Sequence, residues 1–156
     1  MNIKDIKILT YNSLFGSRLV AYFLSGCNKQ TIKYELIFFL IPFVLKEESR
    51  AILNNANSKS TLYSLFLNNS KGKISLGGLE IRFKHFQPLT QSSIIVAAKY
   101  YDLKVNDTIS IISPLDYNNE DIPLLKEYFR ASYYLGKILS ANDVFDTYLK
   151  LGIKEI

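Results

Sequence analysis

The sequence predicts a compact, mainly α-helical domain with one small β-hairpin, and three observations carry that expectation. Apolar residues recur at helical spacing in one segment after another, each bounded by Asn, Ser, Gly or Pro. Ten consecutive apolar residues, Leu36 through Leu45, form a run too long for an ordinary strand and apolar all round, as in a buried central helix. Only 103–111 reads clearly as β-structure. At 156 residues, 1–156 has the length of a single domain.

Taken in order, residues 1–11 set Ile3, Ile6 and Ile8 among polar neighbours, the pattern of a short strand or an extended arm. Asn12 or Ser13 then caps a helix to about Gly26, with Leu14, Leu19, Tyr22 and Phe23 along one stripe. Gly26 and Asn28 stop it. Thr31 is positioned to cap the apolar helix, and Pro42, lacking an N–H, should kink or end it. A bilayer needs about 20 apolar residues, so this run is too short to span one. Lys46-Glu47-Glu48 opens a short helix through Arg50 and Leu53, broken by Asn54, Asn55, Asn57 and Ser58. A further helix is expected over 60–67, with Leu62, Leu65 and Phe66 inward, closed by Asn68-Asn69-Ser70. Residues 74–86 fit helix better than strand, although Gly77-Gly78 weakens both.

Pro88 punctuates and Thr90 caps a helix over 91–101. Leu103-Lys104-Val105 and Thr108-Ile109-Ser110-Ile111 then flank Asn106-Asp107, a pair that tolerates the positive φ of a primed two-residue turn. A helix followed directly by a hairpin is how a winged-helix module ends, and equally how a plain helix–hairpin unit packs into a core. Asp121 is expected to cap the last long helix, which begins near Pro123 and keeps Leu124, Leu125, Tyr128, Phe129, Ser132, Leu135 and Leu139 on one face. Asn142 caps a final short helix whose Val144, Phe145, Tyr148 and Leu149 are expected inward, and Gly152 ends it.

Composition narrows the function. One cysteine, Cys27, excludes a disulfide framework and a multi-thiolate zinc site; it reads as a semi-buried small residue. The start, MNIKDIKILTYNS, does not read as a signal peptide, which makes the cytoplasm the expected compartment. Net charge is +5, yet the lysines are spread singly, whereas phosphate binding rewards clustering in one footprint. His85 is the only histidine, so a Ser–His or Cys–His triad with a spare ligand is not available. Gly72, Gly77 and Gly78 compose no phosphate loop, and the pairs Glu47-Glu48 and Glu120-Asp121 are best explained as charges at helix starts. The expectation is a protein that is not an enzyme and holds no cofactor or metal.

What the sequence has in excess is aromatic surface. Eleven tyrosines and ten phenylalanines exceed what one core of this size readily hides. The adjacent pairs Tyr100-Tyr101 and Tyr133-Tyr134 cannot both face one core stripe, because helical neighbours lie about 100° apart. These four are the candidate partner-interface residues, since aromatic rings bury large areas with few rotors.

Several segments, in order, resemble the middle component of the three-component ABC systems, the bacterial conflict modules that include Lamassu-type defence systems. They are Tyr11-Asn12-Ser13, the apolar run from Phe39 to Leu45 followed by Arg50-Ala51-Ile52-Leu53, and Ser60-Thr61-Leu62-Tyr63. Pro88-Leu89-Thr90-Gln91-Ser92, Leu135-Gly136-Lys137, Phe145 and Leu151-Gly152-Ile153 continue the series. Lys154 stands where that family often has proline. The resemblance implies a non-catalytic adaptor that joins an SMC- or Rad50-like ABC ATPase to an effector, often a nuclease, with DNA met weakly or through the complex. The rival reading is a stand-alone winged-helix DNA-binding regulator. Against it, 91–101 carries Lys99 as its only cation, a poor endowment for base reading.

Overall fold

A long helix near the N-terminus organises the molecule. The computed structural model describes residues 12–154, so the strand or arm expected over 1–11 lies outside them. Asn12 caps α1 (Ser13–Gly26), its Oδ1 accepting the Leu14 N–H at 2.7 Å. Leu19, Tyr22 and Phe23 are buried as expected, but Leu14 is exposed. It is Phe15, one position on, that turns inward to meet Tyr128 edge to face at 5.4 Å.

The segment expected as one helix from Thr31 divides into three. Thr31 caps nothing: β1 (Thr31–Lys33) is a strand, followed by a 3₁₀ segment (Tyr34–Phe39) and α2 (Leu40–Val44). In a continuous α-helix the Pro42 ring would strike the carbonyl four residues back. Tighter winding before Leu40 leaves Pro42 in a first turn, where an N–H is not missed. The α2 carbonyls are then capped from α3 (Glu47–Asn54): Ser49 Oγ donates to the Phe43 carbonyl and Arg50 Nη1 to that of Val44 at 3.0 Å. Glu47 and Glu48 occupy the first turn of α3, as expected.

Residues expected as a helix over 60–67 form a single π-type turn, Tyr63–Leu67, with Leu62 and Phe66 buried. Asn69 does not only close it. Its Oδ1 accepts the Gly72 N–H at 2.7 Å and starts α4 (Ser70–Ser75), a helix the sequence reading missed. Gly77-Gly78 separates α4 from α5 (Leu79–His85), with Gly78 at φ 72 supplying the left-handed turn. Next, α6 (Gln87–Tyr100) starts earlier than expected: Pro88 lies in its first turn, and Thr90 is buried inside it, donating to the Phe86 carbonyl.

The hairpin forms, with β2 (Leu103–Val105) and β3 (Thr108–Ile111), and β1 adds to it in the order β1-β3-β2. Its register pairs Leu103 with Ile111 and Val105 with Ile109, so the connection is Asn106-Asp107-Thr108 rather than a two-residue turn. Among the described residues, positive φ outside glycine occurs only at Lys29 and Gln30, so the primed turn is not formed. Hydrophobic matching decides this. The observed register gathers Leu103, Val105, Ile109, Ile111 and Ile32 on one face, whereas a two-residue turn would set Ile109 opposite Lys104.

A 3₁₀ turn (Tyr117–Asn119) leads to α7 (Pro123–Ser140) and α8 (Val144–Lys150). Asp121 does not cap α7. The Glu120 carboxylate instead accepts the Ile122 N–H and pairs with Arg18 at 3.3 Å, so Glu120-Asp121 precedes the helix rather than charging its first turn. The cap of α8 is Asp143, not Asn142. Leu124 on α7 and Phe145 and Leu149 on α8, all expected inward, are exposed; the two α8 residues are each 67% exposed. Tyr148 is the α8 anchor, donating to the Glu35 carbonyl at 2.7 Å and meeting Phe39 edge to face.

Glycine allows the central helix its close neighbours. A methyl at Gly26 would coincide with the Tyr133 carbonyl, and one at Gly136 with that of Phe23, so α1 and α7 touch backbone to backbone. On its other side Gly16 admits Ser93 of α6. Tyr22 stacks on Phe129 at 4.3 Å across the α1–α7 contact, and Arg18 covers that ring from outside at 4.6 Å.

Candidate partner interface

Four side chains of α7 share one face because they follow the helical repeat: Arg130, then Tyr133 and Tyr134, then Lys137. Tyr117 reaches the same place from the preceding 3₁₀ turn, held there by Asp116, whose carboxylate accepts the Asn118 N–H at 2.9 Å. The three rings meet one another edge-on or tilted, with centroids 5.2 Å apart for Tyr117–Tyr133 and 5.3 Å for Tyr133–Tyr134.

Arg130 fixes this cluster. Its guanidinium donates to the carbonyls of Asn54 and Ala56, each at 3.1 Å, and to the Tyr117 hydroxyl at 2.9 Å. The two carbonyls lie at and just beyond the end of α3, where a helix leaves acceptors without internal partners and favours a cation. The same guanidinium lies 4.8 Å from the Tyr134 ring centre. Burial, and after it a hydrogen bond with Tyr134, pushes the Tyr117 phenol up to about 12.

The tyrosines line an open groove of about 500 Å³, together with Ser25, Gln30, Pro114, Leu115, Asp116 and Lys137. Both walls are tied to the helices behind them. Leu115 N–H donates to Ser25 Oγ at 2.8 Å, and Asn28 N–H to Ser140 Oγ at 2.9 Å. On the second wall Lys29 and Gln30 adopt φ of 56° and 54°, a left-handed conformation that costs non-glycine residues energy and persists only where surrounding contacts impose it.

The candidate tyrosines thus separate. Tyr133 and Tyr134 are half-buried neighbours on the groove, while Tyr100 and Tyr101 at the end of α6 do not line it. Tyr100 is 65% exposed and Tyr101 is half-buried. Sequence reasoning did not assign Arg130 to this face, met Lys137 only within the segment Leu135-Gly136-Lys137, and placed Phe145 inward. The spacing of Arg130, Tyr134 and Lys137 on one helix face was the available signal. Most other aromatics are accommodated inside, including Phe23, Phe39, Phe43, Phe66, Phe83 and Phe129.

The outward face of α6 presents Pro88, Gln91, Ile95, Ala98, Lys99 and Tyr100, a surface with one cation and no array for phosphates. His85 is exposed beside Phe86, and Cys27 is buried with its thiol pushed up by desolvation. Among the described residues no cluster of His, Cys, Asp or Glu is suited to a metal, and no helix is long and apolar enough to cross a membrane.

A family model described as ABC-three component (ABC-3C) system Middle Component 3 matches residues 2–155. The chain belongs to that family. The resemblance carried by its segments is thereby borne out over nearly the full length. No curated protein and no solved structure matches it. Membership makes this middle component a partner of the other components of such a system.

Proposed function

We propose that this middle component is a non-catalytic adaptor, bridging an SMC- or Rad50-like ABC ATPase and an effector in a cytoplasmic bacterial defence complex. The observation that carries the reading is the cluster of Tyr117, Tyr133 and Tyr134, which Arg130 joins at the Tyr117 hydroxyl and the Tyr134 ring and which lines an open groove. Rigid aromatic groups lose little freedom on contact, which suits them to anchor an interface. A bridge also needs a second surface. The exposed Phe145 and Leu149, one turn apart on α8, and Ile95 and Tyr100 on α6 are apolar groups of that kind outside the groove.

Co-expression with the two other components of its system tests this. The three should purify as one assembly, and omission of the middle component should leave ATPase and effector apart. Assembly of those two without it would end the adaptor reading.

A further inference from the structure

We infer that the aromatic cleft bounded by Tyr34, Phe38, Phe83 and Tyr148 receives an arginine side chain of a partner component; this rests on the adaptor reading and gives it a second point of contact. The cleft holds about 220 Å³, below the roughly 300–1,000 Å³ of ordinary small-molecule pockets and suited to one side chain. Four elements build it. The 3₁₀ segment supplies Tyr34 and Phe38, α5 supplies Phe83 and α8 supplies Tyr148, while Gln87 and Gln91 of α6 complete the lining. Tyr34 meets Phe38 at 5.3 Å and 72°, and Phe83 meets Tyr148 at 5.7 Å and 84°. The rings thus stand as a box rather than a stack, and aromatic faces attract cations. The walls are held in place before any guest arrives. Phe83 packs on Phe39 at 5.0 Å, the Tyr148 hydroxyl is committed to the Glu35 carbonyl, and the Tyr34 N–H donates to the Asp107 carbonyl at 3.1 Å.

Charge decides the guest. Glu35 is the one charged residue of the lining, and among the described residues its carboxylate has neither a hydrogen bond nor an ion pair. Lys33, two positions away, lines a different cleft with Ile32, Leu36 and Thr108. Burial first, and the Glu35 charge after it, push the Tyr148 phenol up to about 12, so the carboxylate acts on this site. The side-chain amides of Gln87 and Gln91 also lack partners among the described residues, and their oxygens accept N–H donors. A guanidinium matches all three features. It is planar, weakly hydrated, stacks on aromatic rings and carries five donors in a fixed fork. A phosphate or an acidic segment would meet the Glu35 carboxylate and no lining cation.

The test has two arms, both on the full chain. In the first, N-acetyl-arginine methylamide and its neutral isostere, N-acetyl-citrulline methylamide, are titrated while the ring resonances of Tyr34 and Phe38 are followed by NMR. The arginine compound should saturate with a Kd on the order of 1 mM, the citrulline compound should bind about fivefold more weakly or less, and E35Q should abolish that preference. In the second arm the tagged chain is co-expressed with the other two components and the lysate is treated with nuclease. E35Q should weaken capture by about tenfold, whereas E48Q, at an exposed residue outside the cleft, should not. Circular dichroism and melting establish that both variants are folded. Equal binding of the two compounds overturns the inference, because the cleft then takes neutral groups as readily as a cation. A folded E35Q variant that captures its partners at wild-type affinity also overturns it and leaves the adaptor reading standing. Wild-type protein that captures neither component defeats the adaptor reading, and this inference with it.

Discussion

Arg130 does the work of a helix cap from a distance. It serves the Asn54 and Ala56 carbonyls from α7, a helix that begins nearly seventy residues later in the chain. Replacing it with Met keeps the apolar stem and removes all three donors, which leaves acceptors at the end of α3 without partners. The expected cost is about 2–4 kcal/mol, read from urea unfolding. A loss under about 1 kcal/mol would show that water replaces the guanidinium. Tyr117 and Tyr148 make a second prediction, because burial raises both phenols from 10.0 to about 12. The unfolded chain gives up these protons at lower pH than the folded one. Their contribution is therefore whole below pH 10 and is lost as pH rises through the folded values near 12. Unfolding followed between these pH values should show stability falling, with a shallower slope in Tyr148→Phe. Equal slopes in the two proteins would contradict the assignment.

Among the elements, α1 and α7 set the tightest tolerance. Gly136→Ala would force the Phe23 carbonyl and α7 apart, and overpacking of this kind costs about 1–3 kcal/mol. Thermal melting should place it well below a Gly77→Ala control, where a methyl meets only the Ile74 carbonyl at 3.2 Å. Phe39, fully buried against Phe83 and Tyr148, should cost about 3–5 kcal/mol on truncation to Ala. Phe38, half-buried against Tyr34, should cost about 1–2 kcal/mol. Comparable losses at the two positions would mean that the run is buried all round after all. Helices with local signals were legible: Asn12 as a cap, Glu47-Glu48 as a start, the periodic face of 128–139. What escaped the sequence was decided by partners elsewhere in the chain. Thr31 reads as a cap until β3 is there to pair with it, and Asn106-Asp107 reads as a tight turn until the apolar faces of three strands must agree. The groove was half legible. The tyrosine pair was visible, but Tyr117 joins it through the 3₁₀ turn and Arg130, and Gln30 only through the packing of α1 against α7.

At the scale of the whole molecule, the net charge of +5 is spread without a footprint. The isolated protein should therefore bind DNA only in the non-specific range of roughly 10⁻⁴–10⁻⁶ M, measured by fluorescence anisotropy at physiological salt. Nanomolar, sequence-dependent binding would favour the regulator over the adaptor. The glycine-lined contact of α1 with α7 also orders events in time. A ribosome adds about 5–20 residues per second, so α1 emerges roughly 5–20 s before the helix that must cover Gly26 and Phe23. Until Ser140 is out, α1 has one flank bare, and α3 has no Arg130 to finish it. Nascent chains halted before Pro123 should be protease-sensitive and held by chaperones, whereas chains released past Lys150 should resist digestion.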